Sequence, residues 1–327
     1  MFRSNKKRKF WPSSKKNKSA TDWIQEHAIK VPRVTVTTPI ASMGSCFARE
    51  IKDWLVKNKY NYLLGNEIES HFLSHELFLG DKGRSPSIHA SVAWERVYNT
   101  FTMRNIIDYS FNGIELHDRF VEVESRRGKK YTADLVRSRM IFRNLKEARS
   151  NLANHLKESR RVLMNAEVLI LTLGLIEIWQ SEKSGLVIGA HPGNEYKLPP
   201  EFKPRVSELS ENLDNLKHVV KTLNFHNENL KIIITVSPVH LLKTERDDTD
   251  VISASCYSKS LLRVVADQIT KFNNVYYFPS YEIATICSNI DKVPLYPDNH
   301  HVSREVVCNI MTAFMKLSSK PKLRLFS

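Results

Sequence analysis

Pro39-Ile40-Ala41-Ser42-Met43-Gly44-Ser45-Cys46-Phe47-Ala48-Arg49-Glu50 reads as an apolar strand ending at Met43, a tight turn through Gly44 and Ser45, and a helix. The helix is carried by Phe47, Ile51 and Leu55, which recur at one-turn spacing. A hydroxyl at such a junction stands beside the first free amides of a helix, where negative charge developing on a substrate oxygen is stabilised. Ser45 is therefore a candidate nucleophile, with the backbone amides of Ser45 and Cys46 as candidate oxyanion donors. Gly44 lets the backbone turn sharply and leaves room for a substrate. The same pattern also fits an ordinary strand-to-helix connection in which Ser45 is only the cap, so the rest of the chain has to decide.

Downstream, helical and apolar stretches alternate. A long helical pattern over residues 144–165 leads into Val168-Leu169-Ile170-Leu171-Thr172-Leu173-Gly174, a continuous apolar run suited to a strand buried on both faces. A helix over 206–224 precedes Ile232-Ile233-Ile234-Thr235-Val236, and a helix over 253–272 precedes Val275-Tyr276-Tyr277-Phe278. Strands alternating with helices imply crossover connections and a parallel sheet covered on both sides. In such a sheet ligands gather at the carboxyl ends of the strands, where Ser45, Gly174, Ser237 and Ser280 all fall. Before that, residues 20–33 read as a short helical stretch, and residues 34–38, rich in β-branched side chains, as an extended approach to the Ser45 turn. Residues 80–95 read as a loop. Residues 113–131, with a turn at Arg127-Gly128, read as a small hairpin inserted into the main domain, so that residues 80–145 form a lid-like insertion.

The 327 residues carry a formal charge of +14, which resembles a nucleic-acid signal until it is located. Eight of those charges, Arg3, Lys6, Lys7, Arg8, Lys9, Lys15, Lys16 and Lys18, lie in residues 1–18 with no acid among them. The first 20 residues are thus expected to be a basic disordered tail with an anionic partner as its functional alternative, and residues 21–327 the folded domain. No apolar run follows the basic residues, and the longest apolar stretch, residues 162–179, is broken by Asn165, Glu167 and Glu177. A cytoplasmic protein without a transmembrane segment is expected. Four scattered cysteines suggest neither a disulfide scaffold nor a zinc site. His71 and His75 are four apart but have no third ligand, so no metal and no cofactor are expected.

A serine hydroxyl needs a base, and an imidazole oriented by a carboxylate is the usual solution. The local source is Tyr296-Pro297-Asp298-Asn299-His300-His301-Val302-Ser303, in which Asp298 and His301 are three apart and a single turn can aim both at one point. Cys46, one residue into the helix, is read as a core thiol rather than as the nucleophile.

Gly44-Ser45-Cys46-Phe47-Ala48 spells the signature of the GSCFA domain family, which is similar to the GDSL or SGNH hydrolases. The resemblance continues through Thr172-Leu173-Gly174-Leu175-Ile176-Glu177-Ile178-Trp179, Thr235-Val236-Ser237-Pro238-Val239, Tyr277-Phe278-Pro279-Ser280-Tyr281-Glu282 and residues 298–303, in the family's order, over roughly residues 35–317. It implies a flavodoxin-like three-layer α/β/α fold and a serine esterase or acyltransferase. By position, Ser45 matches the nucleophile of the first block, and Asp298 and His301 match the Asp-x-x-His of the last. The chain departs from the pattern twice. The Gly-x-Asn-Asp of SGNH enzymes reads Gly174-Leu175-Ile176-Glu177, so the oxyanion-binding asparagine is missing. The family's Gly-Asn-x-Tyr-Thr reads Tyr98-Asn99-Thr100-Phe101-Thr102, leaving Asn99 as an alternative donor and Glu177 as a loop-orienting or substrate-binding group. The expected activity is serine-dependent hydrolysis or transfer of an O-acyl group on a carbohydrate, with polysaccharide modification as its setting. The alternative is a glycan-binding module that keeps the fold but has lost efficient catalysis.

Overall fold

The computed structural model describes residues 11, 18–27, 31–65, 90–94, 96–113, 118–124, 128–137, 140–193, 196–298 and 301–319. In chain order the elements are α1 (Ala20–His27), β1 (Ile40–Gly44), α2 (Cys46–Lys57), α3 (Thr100–Asn112), β2 (Phe120–Glu124), β3 (Lys130–Asp134), β4 (Ile141–Phe142) and α4 (Leu145–Asn165). There follow β5 (Val168–Leu173), β6 (Glu177–Ser181), β7 (Phe202–Val206), α5 (Leu209–His226), β8 (Lys231–Val236), α6 (Val251–Ile269) and β9 (Val275–Tyr277). The short helices α7 (Ser280–Glu282) and α8 (Ser288–Ile290) flank a π-helical turn, Ile283–Cys287, and α9 (Arg304–Ser319) closes the described chain.

A four-stranded parallel sheet of order β1-β5-β8-β9 forms the middle layer. A single parallel bridge between Ile40 and Tyr62 adds a rudimentary strand outside β1, completing the 2-1-3-4-5 order of a flavodoxin-like sheet. Successive side chains of a strand point to opposite faces, and here the two sets enter two different cores. Ala41, Met43, Leu169, Leu171, Ile232 and Ile234 pack under α3, α4, α5 and α6. Ile40, Val168, Ile170 and Ile233 pack on the other face under α2 and α9, with Ile24 of α1 against them. The fold is therefore a three-layer α/β/α sandwich.

From α2 onward the expected helices and strands of the main sheet occur close to the positions read from periodicity. The stretch read as helical over residues 20–33 is helical over Ala20–His27, whereas residues 31–33 are non-helical. Residues 34–38 differ: instead of continuing as a strand they form a turn, with Thr38 N–H donating to Thr35 O at 3.1 Å and Thr35 N–H donating to Thr38 Oγ1 at 2.9 Å. Threonine hydroxyls compete for backbone groups, and here that local bonding overrides the β-branched preference.

The hairpin inserted between α3 and α4 is a three-stranded antiparallel sheet, β2-β3-β4. Its hub is Asp134, fully buried, which accepts from Arg119 Nε and Nη2 at 2.9 Å each and from Arg137 Nε at 2.8 Å. Burial alone would raise this carboxyl, but the two guanidiniums, Arg119 before Arg137, outweigh it and hold the group far below the usual carboxylate range. Val123, Tyr131 and Leu135 of this insertion share a small core with Leu186, Ile188 and Phe202 of the β6–β7 segment. Residues 66–89, which include His71, His75 and most of the loop read at 80–95, lie outside the described residues, as does nearly all of the basic tail. No helix among the described residues is long and apolar enough to cross a membrane.

Candidate active site

The turn after β1 is built for close approach. Gly44 has φ +153°, and a Cβ there would lie 2.6 Å from Thr172 O and 2.7 Å from Thr172 Cβ, so only glycine lets the end of β1 run against β5 in its observed register. Ser45 follows as the N-cap of α2, with its hydroxyl oxygen accepting from Phe47 N–H at 3.3 Å. It is 4% exposed. The cap reading and the nucleophile reading thus fall on the same hydroxyl: a helix amide occupies one lone pair, while the O–H proton is not committed by that bond. Cys46 is the first residue of α2, and its side chain lies outside the described residues.

Asp298 shapes the loop ahead of α9. Its Oδ1 accepts from His301 N–H at 2.7 Å, and its Oδ2 lies 2.7 Å from His301 Nδ1. One carboxylate therefore both closes the turn and engages the ring, which is what the three-residue spacing permits. Both side chains are more than half exposed, so the pair contributes little to stability and its consequence is orientation. Ser45 and His301, from opposite ends of the chain, line one cavity of about 510 Å³ at the carboxyl edge of the sheet.

Three further candidates line the same cavity. Asn99 is the N-cap of α3: its Oδ1 accepts from Thr102 N–H at 2.8 Å and Thr102 Oγ1 at 3.0 Å, and its Nδ2 donates to Ile188 O at 3.1 Å. The capping bonds fix which end of the amide is the donor, and the nitrogen carries a second N–H besides the one given to Ile188. Gly174 turns its N–H to Tyr98 O at 3.2 Å, and Leu175 N–H joins it at 2.8 Å. A Cβ on Gly174 would stand 2.7 Å from that oxygen, so this glycine too is required by backbone approach. Glu177 accepts from Thr244 Oγ1 at 2.8 Å and from Glu245 N–H at 3.2 Å, tying the loop after β8 to β6. Ile176, where the asparagine is missing, is buried in the core beneath α5 and α6.

Sequence reasoning missed several lining groups: Arg49, Arg96, His191, His240, Lys243 and Lys259. His191 packs against Trp179 with ring centroids 4.5 Å apart, and burial, assisted by the neighbouring Lys243 charge, pushes its pKa below the ordinary value. Lys259 alone had left a readable signal. It sits on the stripe Ser255, Lys259, Leu262, Ala266 of α6, which is buried, so a charge was placed where apolar spacing calls for none. Among the described residues no group of three or more His, Cys, Asp or Glu side chains converges as a metal set would.

A three-layer α/β/α protein with a mixed polar and aromatic cavity at the carboxyl ends of its parallel strands is the class that fold and site define. The chain belongs to the GSCFA family, whose model matches residues 39–314, from the start of β1 to within α9. No curated protein matches it. Among solved structures it is similar to one described as "a putative platelet activating factor from Streptococcus pneumonia", at 15% identity and a TM-score of 0.29, covering 50% of this chain and 63% of that one. A likeness of that size bears on neither fold nor function.

Proposed function

We propose that this protein is a serine-dependent hydrolase or acyltransferase of the SGNH kind, acting on an O-acyl ester of a carbohydrate. The observation that carries this reading is that Ser45 and His301 line the same cavity while Asp298 engages His301 Nδ1 at 2.7 Å. With Nδ1 committed to the carboxylate, proton exchange with the serine falls to Nε2. Ser45 Oγ forms a bond to the acyl carbon as its proton passes to His301, and the carbonyl electron pair moves onto oxygen. Collapse of this intermediate expels the sugar alkoxide, which takes the proton from His301 and leaves an acyl-serine. Water or an acceptor hydroxyl then repeats the sequence in reverse, with His301 as base. The N–H groups at the start of α2 and the amide of Asn99 supply donors for the oxyanion. The carbohydrate assignment is supported by the cavity lining, which brings the aromatic pair Trp179 and His191 together with polar donors.

The test is turnover of p-nitrophenyl acetate by purified wild type, Ser45→Ala and His301→Asn. Both variants are expected to lose at least a thousandfold in kcat while retaining cooperative unfolding. Turnover undiminished in Ser45→Ala would contradict the reading. A glycan-binding module without efficient catalysis is the second reading, favoured by the burial of Ile176 where an oxyanion donor is expected. A wild type that binds O-acylated glycans without turning them over would establish that reading instead.

A further inference from the structure

The α2 amides and Asn99 are neutral donors, and Ile176, at the position where a further donor is expected, offers none. The third-block segment is instead gripped from behind by α6. Ser258 Oγ accepts from Ile176 N–H at 3.3 Å, and the next residue, Lys259, donates from Nζ to Gly174 O at 2.7 Å. Lys259 is 2% exposed, yet it lines the cavity together with Ser45 and His301. Lysine is almost never buried to that degree without a specific partner. The parallel register places Gly44 beside Thr172, and Gly174 follows directly on the end of β5, so both the Ser45 turn and Gly174 open at the carboxyl edge of adjacent strands. An ammonium tethered at Gly174 O is therefore held at the cavity that Ser45 and His301 also line, by an element outside the motif blocks.

We infer that Lys259 is a catalytic residue of this site, its ammonium stabilising the oxyanion that forms when Ser45 attacks the acyl carbon. Gly174 O takes one of its three N–H donors and anchors the ammonium, whose positive charge acts on the developing negative one. No bond to Lys259 forms or breaks and no proton leaves it, so the covalent and proton steps remain those of Ser45 and His301. The inference rests on the serine reading and adds to it a charged group beside the α2 amides and Asn99.

The experiment assays p-nitrophenyl acetate turnover by wild type, Ser45→Ala and Lys259→Met in parallel, with thermal unfolding as the check on folding. Lys259→Met is expected to lower kcat at least a hundredfold with KM changed less than threefold, because the charge acts on the transition state and not on the bound ester. A folded Lys259→Met with kcat within threefold of wild type, alongside an inactive Ser45→Ala, overturns the lysine's role and leaves the serine reading standing. Turnover that Ser45→Ala does not reduce overturns the serine reading and this inference with it. Where the methionine variant does not fold, Lys259→Ala assayed with and without ethylammonium decides. A tenfold recovery of kcat supports a charge acting at the site, and no recovery overturns it.

Discussion

Ser45 caps α2 through its oxygen and is also the nucleophile of the proposed reaction, and the two roles separate by magnitude. Ser45→Ala is expected to cost about 1 kcal/mol of stability, the worth of a lost cap, measured by denaturant unfolding. Its activity falls by orders of magnitude. Gly44 behaves in the opposite way. With φ +153° and Thr172 in the path of any Cβ, Gly44→Ala is expected to destabilise by about 3 kcal/mol or more, well above an ordinary surface substitution. A variant that unfolds at the wild-type midpoint would show that β1 and β5 can part there without penalty. Gly44 and Ser45 were legible in the sequence because a turn between an apolar strand and a helix demands those residue types. Lys259 was passed over because a single lysine within a helix usually faces water, and only the register of its apolar neighbours marks it as buried.

Helices and parallel strands were legible because burial on one stripe or on both faces leaves a strong apolar period. The β6–β7 hairpin was not read. Its pairing sets Trp179 against Pro204 in an isolated two-stranded ribbon, and proline at such an edge erases the usual strand pattern. The inserted sheet was legible as a hairpin, but not its ionic hub. Asp134→Ala leaves Arg119 and Arg137 buried without their shared carboxylate, and unfolding is expected to be easier by roughly 3–5 kcal/mol. A loss under 1 kcal/mol would mean that the guanidiniums reach solvent. The rudimentary edge strand carries a further, pH-dependent contribution. Tyr62 is buried, with its hydroxyl 2.6 Å from Ser42 Oγ, and burial pushes its pKa from 10.0 up to about 12. The folded chain keeps this proton where the unfolded chain releases it. The contribution, roughly 3 kcal/mol, is therefore intact below pH 10 and lost as pH rises through 12. Tyr62→Phe should show a shallower decline of unfolding free energy across that window, and equal slopes in the two proteins would refute this assignment.

The molecule as a whole explains why residues from both ends of the chain meet. Parallel strands that alternate their side chains between two cores and are joined by crossovers place every loop that follows a strand on one edge of the sheet. The turn after β1 and the segments after β5 and β8 all open there, and the loop before α9 joins them. That convergence could be anticipated from the order of helices and strands. What the order could not reveal is how the cavity is walled: Trp179 and His191 come from a segment whose local pattern says little, and the inserted sheet supports that wall by accepting Gly189 N–H at Leu135 O, 3.2 Å away. The most direct test of a serine activated by a distant histidine is the rate of covalent labelling by a fluorophosphonate, read by peptide mass spectrometry in wild type and His301→Asn. The expected result is a single adduct on the peptide containing Ser45, formed at least a hundredfold more slowly in the variant. An adduct on another residue, or one on Ser45 formed at the same rate in both proteins, would contradict the account.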